Sequence, residues 1–444
     1  MTRYDQILRS WEGLAAPLAL AMADAGKAAR QHVIASTEQE VAIRDVAAGV
    51  AAPALVGYVV WLLRRASEKG LRRLCFLSRD AQVFYEIARR LAPRLGLALE
   101  LRYVYSSRRT WNLAAADPAN LAAQDWLFNS FMRANAADVC TRLGLDSSAY
   151  GALLVDAGAS VDPEVRADQQ EQALALRRFV ASPALAAAVA PSVEAMRGLV
   201  RDYALQEGIA STSTGLVDAG WTGRMIGALT TATAGLPQPQ VFFWAHEPRE
   251  SGWTDPARVH AFMYNTATGE GVTERVPDTP YIIETFCMSD HGIAAGYRRA
   301  SDGRVDGIVE TDTNPAVEEW GFGVFRETIY HFCEHLTDRD LVAAADSRDV
   351  IARVLRAFWL TPTPQEAAAW GDYPYDSDPL GRSTRPLARP FDDDHLKAVL
   401  NGAPLRQADR AWIQGSLARS GPLGAQVAEL LVPSYSALGA PATD

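Results

Sequence analysis

RRLCFLSRDAQVFYEIARRLAPRLGLALELRYVYSSRR, residues 72–109, is the stretch from which the fold of this chain is read. Its first apolar run, Leu74-Cys75-Phe76-Leu77, has the length and composition of a buried strand. Ser78-Arg79-Asp80 interrupts the run. Val83, Phe84, Ile87, Ala88 and Leu91 then recur at helical spacing, with Asp80 placed as an N-cap. After Gly96, residues 97–105 (LALELRYVY) read as a second strand. Strand, helix and strand in so short a stretch make a βαβ unit, whose strands run parallel.

A second strand–turn–helix unit begins at Thr214. Gly215-Leu216-Val217-Asp218 is the strand, Ala219-Gly220-Trp221-Thr222-Gly223 the turn, and the helix runs from Arg224 through Met225, Ile226 and Leu229. Val241-Phe242-Phe243-Trp244 supplies a fourth strand ending in Ala245-His246-Glu247. Ligands of open parallel sheets bind beyond the carboxyl ends of the strands. Loops 78–80, 106–109, 218–224 and 246–249 are therefore expected to converge on one edge.

The expected fold is α/β: a Rossmann-like parallel sheet with large helical additions. Residues 1–45 read as an N-terminal helical cap. Residues 46–310 form the α/β core, with a helical insertion at about 110–213. Residues 311–444 form a C-terminal helical region, in which the Pro- and Asp-rich segment 361–394 reads as an extended covering loop. Within these parts, 151–160 reads as a strand or turn, 163–172 as a solvated helix face, 281–288 as a strand or helix, and 436–444 as a frayed tail.

Val46–Leu63 imitates a membrane span, but Gly49, Pro53 and Gly57 interrupt it and its length is at the lower limit for spanning. It reads as a buried core helix broken near Pro53. The N-terminal residues lack a signal pattern, and a cytoplasmic protein is expected. The net charge of −10 over 444 residues argues against non-specific nucleic-acid binding, while leaving room for a local basic pocket. Cys75, Cys140, Cys287 and Cys333 form no CxxC pair, and Cys75 is expected to pack as a small hydrophobe. His331 and His335 stand four residues apart and could grip a metal on a helix face, but the HExxH order is absent and a structural role is the preferred reading.

Three pieces could carry chemistry. Gly220 and Gly223 permit a tight turn into a helix N-terminus, where free N–H groups favour an anion; Thr222 and Arg224 could add a hydroxyl and a charge. Asp218 could hold ribose hydroxyls or magnesium. The bland reading is an ordinary β–α turn. Ser78 and Arg79 could bind an anionic substrate and Asp80 serve as base or metal ligand, or Arg79 and Asp80 could simply pair and cap. Ser106, Ser107, Arg108 and Arg109 suit a phosphate, or are surface residues. Glu284 and His291 lie in an otherwise apolar segment, where structural and functional readings weigh equally. No GxSxG elbow and no Asp-x-Asp phosphatase pattern is present.

FLSRDAQVFYEIARRL, YVYSSRR, LVDAGWTGRMIGAL and IETFCMSDHG, in that order, resemble the glycan phosphoribosyltransferase domain of bacterial surface-polysaccharide proteins. PALVGYVVWLL, PTPQEAAAWGDYPYDSDPLG and WIQGSLARSG extend the resemblance over roughly residues 45–420. That domain is usually fused to a haloacid-dehalogenase-type phosphatase. The resemblance implies transfer of 5-phosphoribose from phosphoribosyl pyrophosphate (PRPP) to a sugar hydroxyl, on an α/β fold unlike standard phosphoribosyltransferases. It implies a glycan acceptor, typically lipid-linked, and hence peripheral attachment at the inner membrane face. It carries Arg79, Asp80, Ser107, Arg108, Asp218, Trp221, Gly223, Glu284 and His291 into the site, with magnesium as a candidate ion. Ala81 departs from the family's glycine. The phosphatase half is not in this sequence, so a separate chain is expected to supply it, or the 5-phosphate is retained. Two other readings remain: transfer to a small-molecule acceptor, and a non-catalytic scaffold of a polysaccharide assembly complex.

Overall fold

Four parallel strands organise the structure: β1 (Arg73–Leu77), β2 (Glu100–Val104), β3 (Thr214–Trp221) and β4 (Gln240–His246), in spatial order β2-β1-β3-β4. The structure, a computed structural model, describes all residues except 129–133, 249–254, 273–274, 278, 344–346, 377–383, 406–410 and 438–444. Short β5 (Val259–Ala261) and β6 (Tyr264–Asn265) pair in parallel with β4, and β7 (Glu270–Gly271) pairs antiparallel with β6. The four expected strands are all present. The second is shorter than its apolar pattern, because Gly96 turns the chain in the left-handed region (φ 67°) and Leu97 closes that turn through its N–H to the Ala92 carbonyl (3.0 Å).

Strand order decides where a ligand can sit. The chain leaves β1 outward to β2, then crosses back to β3 on the other side of β1. The loops that follow β1 and β3 therefore part company, and a crevice opens between them at the carboxyl edge.

Both faces of the sheet are covered, as a parallel sheet requires. Alternate side chains divide between two cores. Leu74, Phe76, Val217, Phe242 and Trp244 join one face; Cys75, Leu77, Leu216, Val241 and Phe243 join the other. The first face packs against helix Ala52–Glu68, and the same core takes in the N-terminal helices and much of the C-terminal region. The second packs against helices Arg108–Ala115, Pro183–Gln206 and Arg224–Ala232. The described rest of the 110–213 insertion is a set of short helices joined by turns, with its own core around Leu127, Phe128, Phe179 and Leu185.

Helical residues Glu38–Glu68 are long and apolar enough to cross a membrane, but 94% of the most apolar window is buried inside the fold. The break near Pro53 is a π-helical turn, Ala47–Ala51, with the proline in the first turn of the helix that follows. Gly57 lets helix Arg348–Leu360 approach: a Cβ there would lie 2.6 Å from the Ile351 side chain. The helix pair Gln170–Val180 and Pro183–Gln206 passes the same membrane test only as one unit bent by 68°.

Four local expectations need correcting. Asp80 does not cap the first crossover helix: the cap position is Ala81, with no side-chain bond. Residues Gly151–Asp156 are helical, with a turn only after them at Ala157-Gly158. Residues 163–172 are not one solvated helix face: the helix begins at Gln170, and Gln172 is buried, its side chain bonded to the Ser160 backbone (2.8 Å). Segment 361–394 is not an extended loop. Thr363 and Glu366 form a reciprocal capping box with Pro364 in the first turn, and that N-terminal signature starts helix Pro364–Gly371. A hairpin of β10 (Pro374–Asp376) and β11 (Thr384–Pro386) follows, the earlier hairpin being β8 (Ala294–Arg299) with β9 (Val305–Val309). Segment 281–288 resolves as helix Thr279–Phe286. The expected frayed tail lies largely outside the described residues. All four cysteines are free and buried, and burial pushes the Cys75 thiol up to about 12.

A candidate active site at the strand crossover

The loops after β1 and β2 are stapled by their serines. Ser78 Oγ donates to the Ser106 carbonyl (3.0 Å) and accepts from the Ser106 N–H (2.9 Å), while Ser106 Oγ donates to the Ser78 carbonyl (3.1 Å). Ser107 caps helix Arg108–Ala115, its Oγ accepting from the Thr110 N–H (3.2 Å). These hydroxyls hold the frame. They are committed to backbone partners and place Arg108 and Arg109 in the helix's first turn.

Arg108 is exposed and forms no ion pair among the described residues. Its charge nonetheless lowers the proton affinity of Asp80, Asp218 and Glu284. One unpaired guanidinium thus acts on three carboxyl groups that arrive from the ends of β1 and β3 and from helix Thr279–Phe286.

Each carboxyl group is held differently. Asp80 makes no hydrogen bond or ion pair among the described residues. Burial pushes its pKa up, Arg79 and Arg108 oppose that rise, and Asp376 adds to it. Asp218, 9% exposed, accepts one hydrogen bond, from the Ala219 N–H to Oδ1 (2.9 Å). Burial, then the charge of Asp80, raises it to about 7, with Arg108 and the Ala219 N–H opposing. Glu284 is saturated: Trp221 Nε1–H donates to Oε1 (3.2 Å) and the Tyr375 hydroxyl to Oε2 (2.7 Å). Burial, followed by Asp80, raises it as well.

The expected turn after Asp218 is instead the end of β3, which stays paired with β4 to Trp221 in a conformation L-residues avoid. Gly220 has φ 111°, and a Cβ there would stand 2.4 Å from the Ala245 carbonyl oxygen. Trp221 follows at φ 77°, which for a residue other than glycine costs about 1–2 kcal/mol. The strain aims the indole N–H at Glu284. Gly223, also left-handed (φ 71°), starts helix Arg224–Ala232 with no side-chain cap, and the positive end of the helix dipole faces the turn. Thr222 is half-buried beside that terminus and Arg224 is exposed on its first turn.

Arg79 pairs with Asp376 of β10 at 2.6 Å. His291 is buried, and both ring nitrogens are occupied. Nδ1–H donates to the Gly292 carbonyl (2.7 Å) and Nε2 accepts from the Tyr103 hydroxyl (2.8 Å), with the tautomer assigned from these partners. It ties the end of β2 to the segment that carries Glu284. The fourth expected loop contributes His246, which is buried beside Asn265 (3.2 Å) and has its pKa lowered by burial; residue 249 lies outside the described residues.

Sequence reasoning missed Tyr375 and Asp376. Both lie in the DYPYDSDPLG stretch, yet neither apolar periodicity nor spacing says that this hairpin folds back over the edge of the sheet. Among the described residues no three His, Cys, Asp or Glu side chains already meet to hold a metal. The carboxylates suit magnesium only in the mode where substrate phosphates and water supply most ligands. A groove of about 820 Å³ lined by Trp61, Arg64, His260 and Arg348 is built from other residues, around β5 and β7. No family model and no curated protein matches the chain.

Proposed function

We propose that this chain is a glycosyltransferase that moves 5-phosphoribose from PRPP to a glycan hydroxyl in surface-polysaccharide biosynthesis, releasing pyrophosphate. The observation that carries the reading is Asp218: a buried carboxyl raised to about 7 by burial and by Asp80, opposed by Arg108, which forms no ion pair among the described residues, at the strand crossover. A base acts best with a pKa near the working pH.

In this reading the acceptor hydroxyl attacks the anomeric carbon as the bond to pyrophosphate breaks. The hydroxyl proton passes to the Asp218 carboxylate. Arg108 and the uncapped N-terminus of helix Arg224–Ala232 stabilise the departing pyrophosphate. Asp80 keeps Asp218 proton-hungry and lies beside the developing positive charge on the ribose. Arg79, released from Asp376, becomes a second donor for phosphate. Asp80 or Asp218 would hold magnesium, which would supply charge neutralisation for the pyrophosphate. The acceptor is expected to be lipid-linked and the protein cytoplasmic and peripheral to the inner membrane face. A separate haloacid-dehalogenase-type phosphatase would remove the 5-phosphate.

The test is pyrophosphate release from PRPP against a panel of glycan acceptors, with mass spectrometry of the product. A single in-line displacement on this α-anomer gives a β-linked pentose that still carries its phosphate. Release driven by a nucleobase or other small acceptor, and by no glycan, would replace the acceptor class. No release with any acceptor, and no PRPP binding, would favour the scaffold.

A further inference from the structure

Tyr373 leads into β10, two residues before Tyr375 and three before Asp376. It is 5% exposed, and its ring stands edge-on to Trp320 with centroids 5.1 Å apart. Its carbonyl accepts from the N–H groups of Tyr375 (2.8 Å) and Leu387 (3.0 Å). Its hydroxyl makes no hydrogen bond among the described residues. Tyr4, Tyr58, Tyr203, Tyr297 and Tyr375 are also buried, and each spends its hydroxyl on a partner at 2.7–3.0 Å. A buried hydroxyl left without a partner costs stability and calls for a reason.

We infer that the Tyr373 hydroxyl, together with the Asp80 carboxylate, binds the ribose 2-hydroxyl of the phosphoribosyl donor, an inference that rests on the transferase reading above. The fold puts the residue in place. Tyr375 reaches Glu284 (2.7 Å) and Asp376 reaches Arg79 (2.6 Å), so the chain just after Tyr373 is fastened to the carboxyl edge of the sheet. Besides burial, the groups that act on the Tyr373 hydroxyl belong to that same edge: Arg79, then Asp80, then Cys287 and Asp376. Asp80 makes no hydrogen bond or ion pair among the described residues either. A hydrogen-bond donor and an acceptor, both unspent, therefore stand at one crevice.

Hydrogen-bond chemistry selects the ligand group. Burial holds the Tyr373 hydroxyl well above its ordinary pKa, so it keeps its proton and can donate. An ionised carboxylate only accepts. A group between the two must accept from one and donate to the other. An alcohol does both. An ionised phosphate oxygen cannot donate, and Asp80 repels it. Among the alcohols of the donor, the 2-hydroxyl adjoins the anomeric carbon, beside which Asp80 stands in the transferase reading. Holding it fixes how the ribose ring is turned towards the attacking hydroxyl.

The test deletes one hydroxyl from the protein and one from the ligand, and asks whether the losses are coupled. Ribose 5-phosphate and 2-deoxyribose 5-phosphate compete with PRPP in calorimetric titrations of the full chain and of Tyr373→Phe. The parent should prefer the ribose compound by about 100-fold and Tyr373→Phe by about tenfold, with affinity for the 2-deoxy compound unchanged. Because the hydroxyl removed has no partner in the free protein, Tyr373→Phe should melt no lower than the parent. A lowered melting point with the preference intact would make the hydroxyl structural and overturn the inference. PRPP binding with no preference in the parent, or with an undiminished one in Tyr373→Phe, would overturn it too and leave the transferase reading standing. No PRPP binding by the parent would remove that reading, and this inference with it.

Discussion

The two ends of the central sheet carry charge in opposite ways. At the amino edge Arg73, Glu100, Arg102 and Glu207 alternate in sign: Arg73 reaches Glu100 (2.6 Å), and Arg102 reaches both Glu100 (2.6 Å) and Glu207 (3.0 Å). Hydrogen bonds from Arg73 and Arg102 hold Glu100 below the usual carboxylate range. At the carboxyl edge three carboxyl groups crowd together, all pushed upward, and Arg108 opposite has no ion-pair partner among the described residues. The first arrangement satisfies its charges and blunts an edge strand. The second leaves like charges buried and a backbone strained, which folding alone does not favour. Such frustration persists where a site uses it.

The largest expected effect tests the second arrangement. Asp80→Asn and Asp218→Asn should each slow pyrophosphate release by about 10²–10⁴-fold. The same Asp218 substitution should stabilise the protein. An aspartate whose folded pKa is raised from 3.8 to about 7 leaves the fold at full stability below 3.8. Stability is then lost progressively until the pH has passed the folded value. Asparagine removes that loss, on the order of a few kcal/mol above neutrality. Thermal melts of parent and variant should therefore coincide below about 3.8, diverge as pH rises from there towards about 7, and stay a constant distance apart above it. The parent's kcat/KM should rise over the same interval and level off. A melting point lowered by Asp218→Asn at every pH would place this residue in the framework instead.

Next comes Arg108→Ala. Charge-assisted hydrogen bonds to a phosphate contribute roughly 1.5–3 kcal/mol each, so PRPP affinity should fall about 10- to 100-fold. The folding loss should stay near ~0.5 kcal/mol, as for other surface positions. Calorimetric titration with PRPP beside a denaturant melt separates the two quantities. Equal losses in both would mean that Arg108 is a structural cation like those at the amino edge.

Tyr375→Phe probes how the site is held together. It removes one of the two hydrogen bonds on Glu284 and leaves the Trp221 contact. The expected loss is about 1–3 kcal/mol, because a buried carboxylate oxygen is left without its donor. The effect should appear as a slower rate and a melting point a few degrees lower. A rate unchanged within error would disconnect the hairpin from the chemistry.

How much of this could be read beforehand differs between residues in a physical way. The strands were legible because short apolar runs bounded by Gly, Ser and Asp have few other solutions. Asp80, Asp218 and Arg108 were legible as loop residues at carboxyl ends, since parallel topology forces those ends together. Their electrostatics were not: the rise in Asp218 depends on burial and on Asp80, which lies in another loop. Ser78 and Ser106 looked like phosphate ligands because hydroxyls beside arginines suit anions, and only the register of β1 against β2 shows them spent on each other's backbone. Asp80 looked like an N-cap because that is the commonest use of such a residue. Tyr375 and Asp376 were hidden because a count of Pro and Asp describes a loop, whereas Thr363-Pro364-x-Glu366 had already started a helix.

The smallest expected effect is the control that makes the comparison an argument. Glu100→Gln removes the central charge of the amino-edge cluster, leaving Arg73 and Arg102 to face one another with only Glu207 between them in charge. Glu100 is exposed, so water screens what is lost, and exposed ion pairs contribute about 0–1 kcal/mol. Stability should fall by no more than about 1 kcal/mol at neutral pH. Because Glu100 is held below its ordinary 4.5, its contribution is present above that value and fades as pH falls through the lower folded pKa. Parent and variant should therefore melt alike in acid and differ slightly near neutrality, opposite in sign to the Asp218→Asn pair. Pyrophosphate release should be unchanged at every pH. A rate loss comparable to that of Asp80→Asn would break the distinction between the two edges, because removing a paired exposed charge at the amino edge would then matter as much as removing a frustrated one at the carboxyl edge.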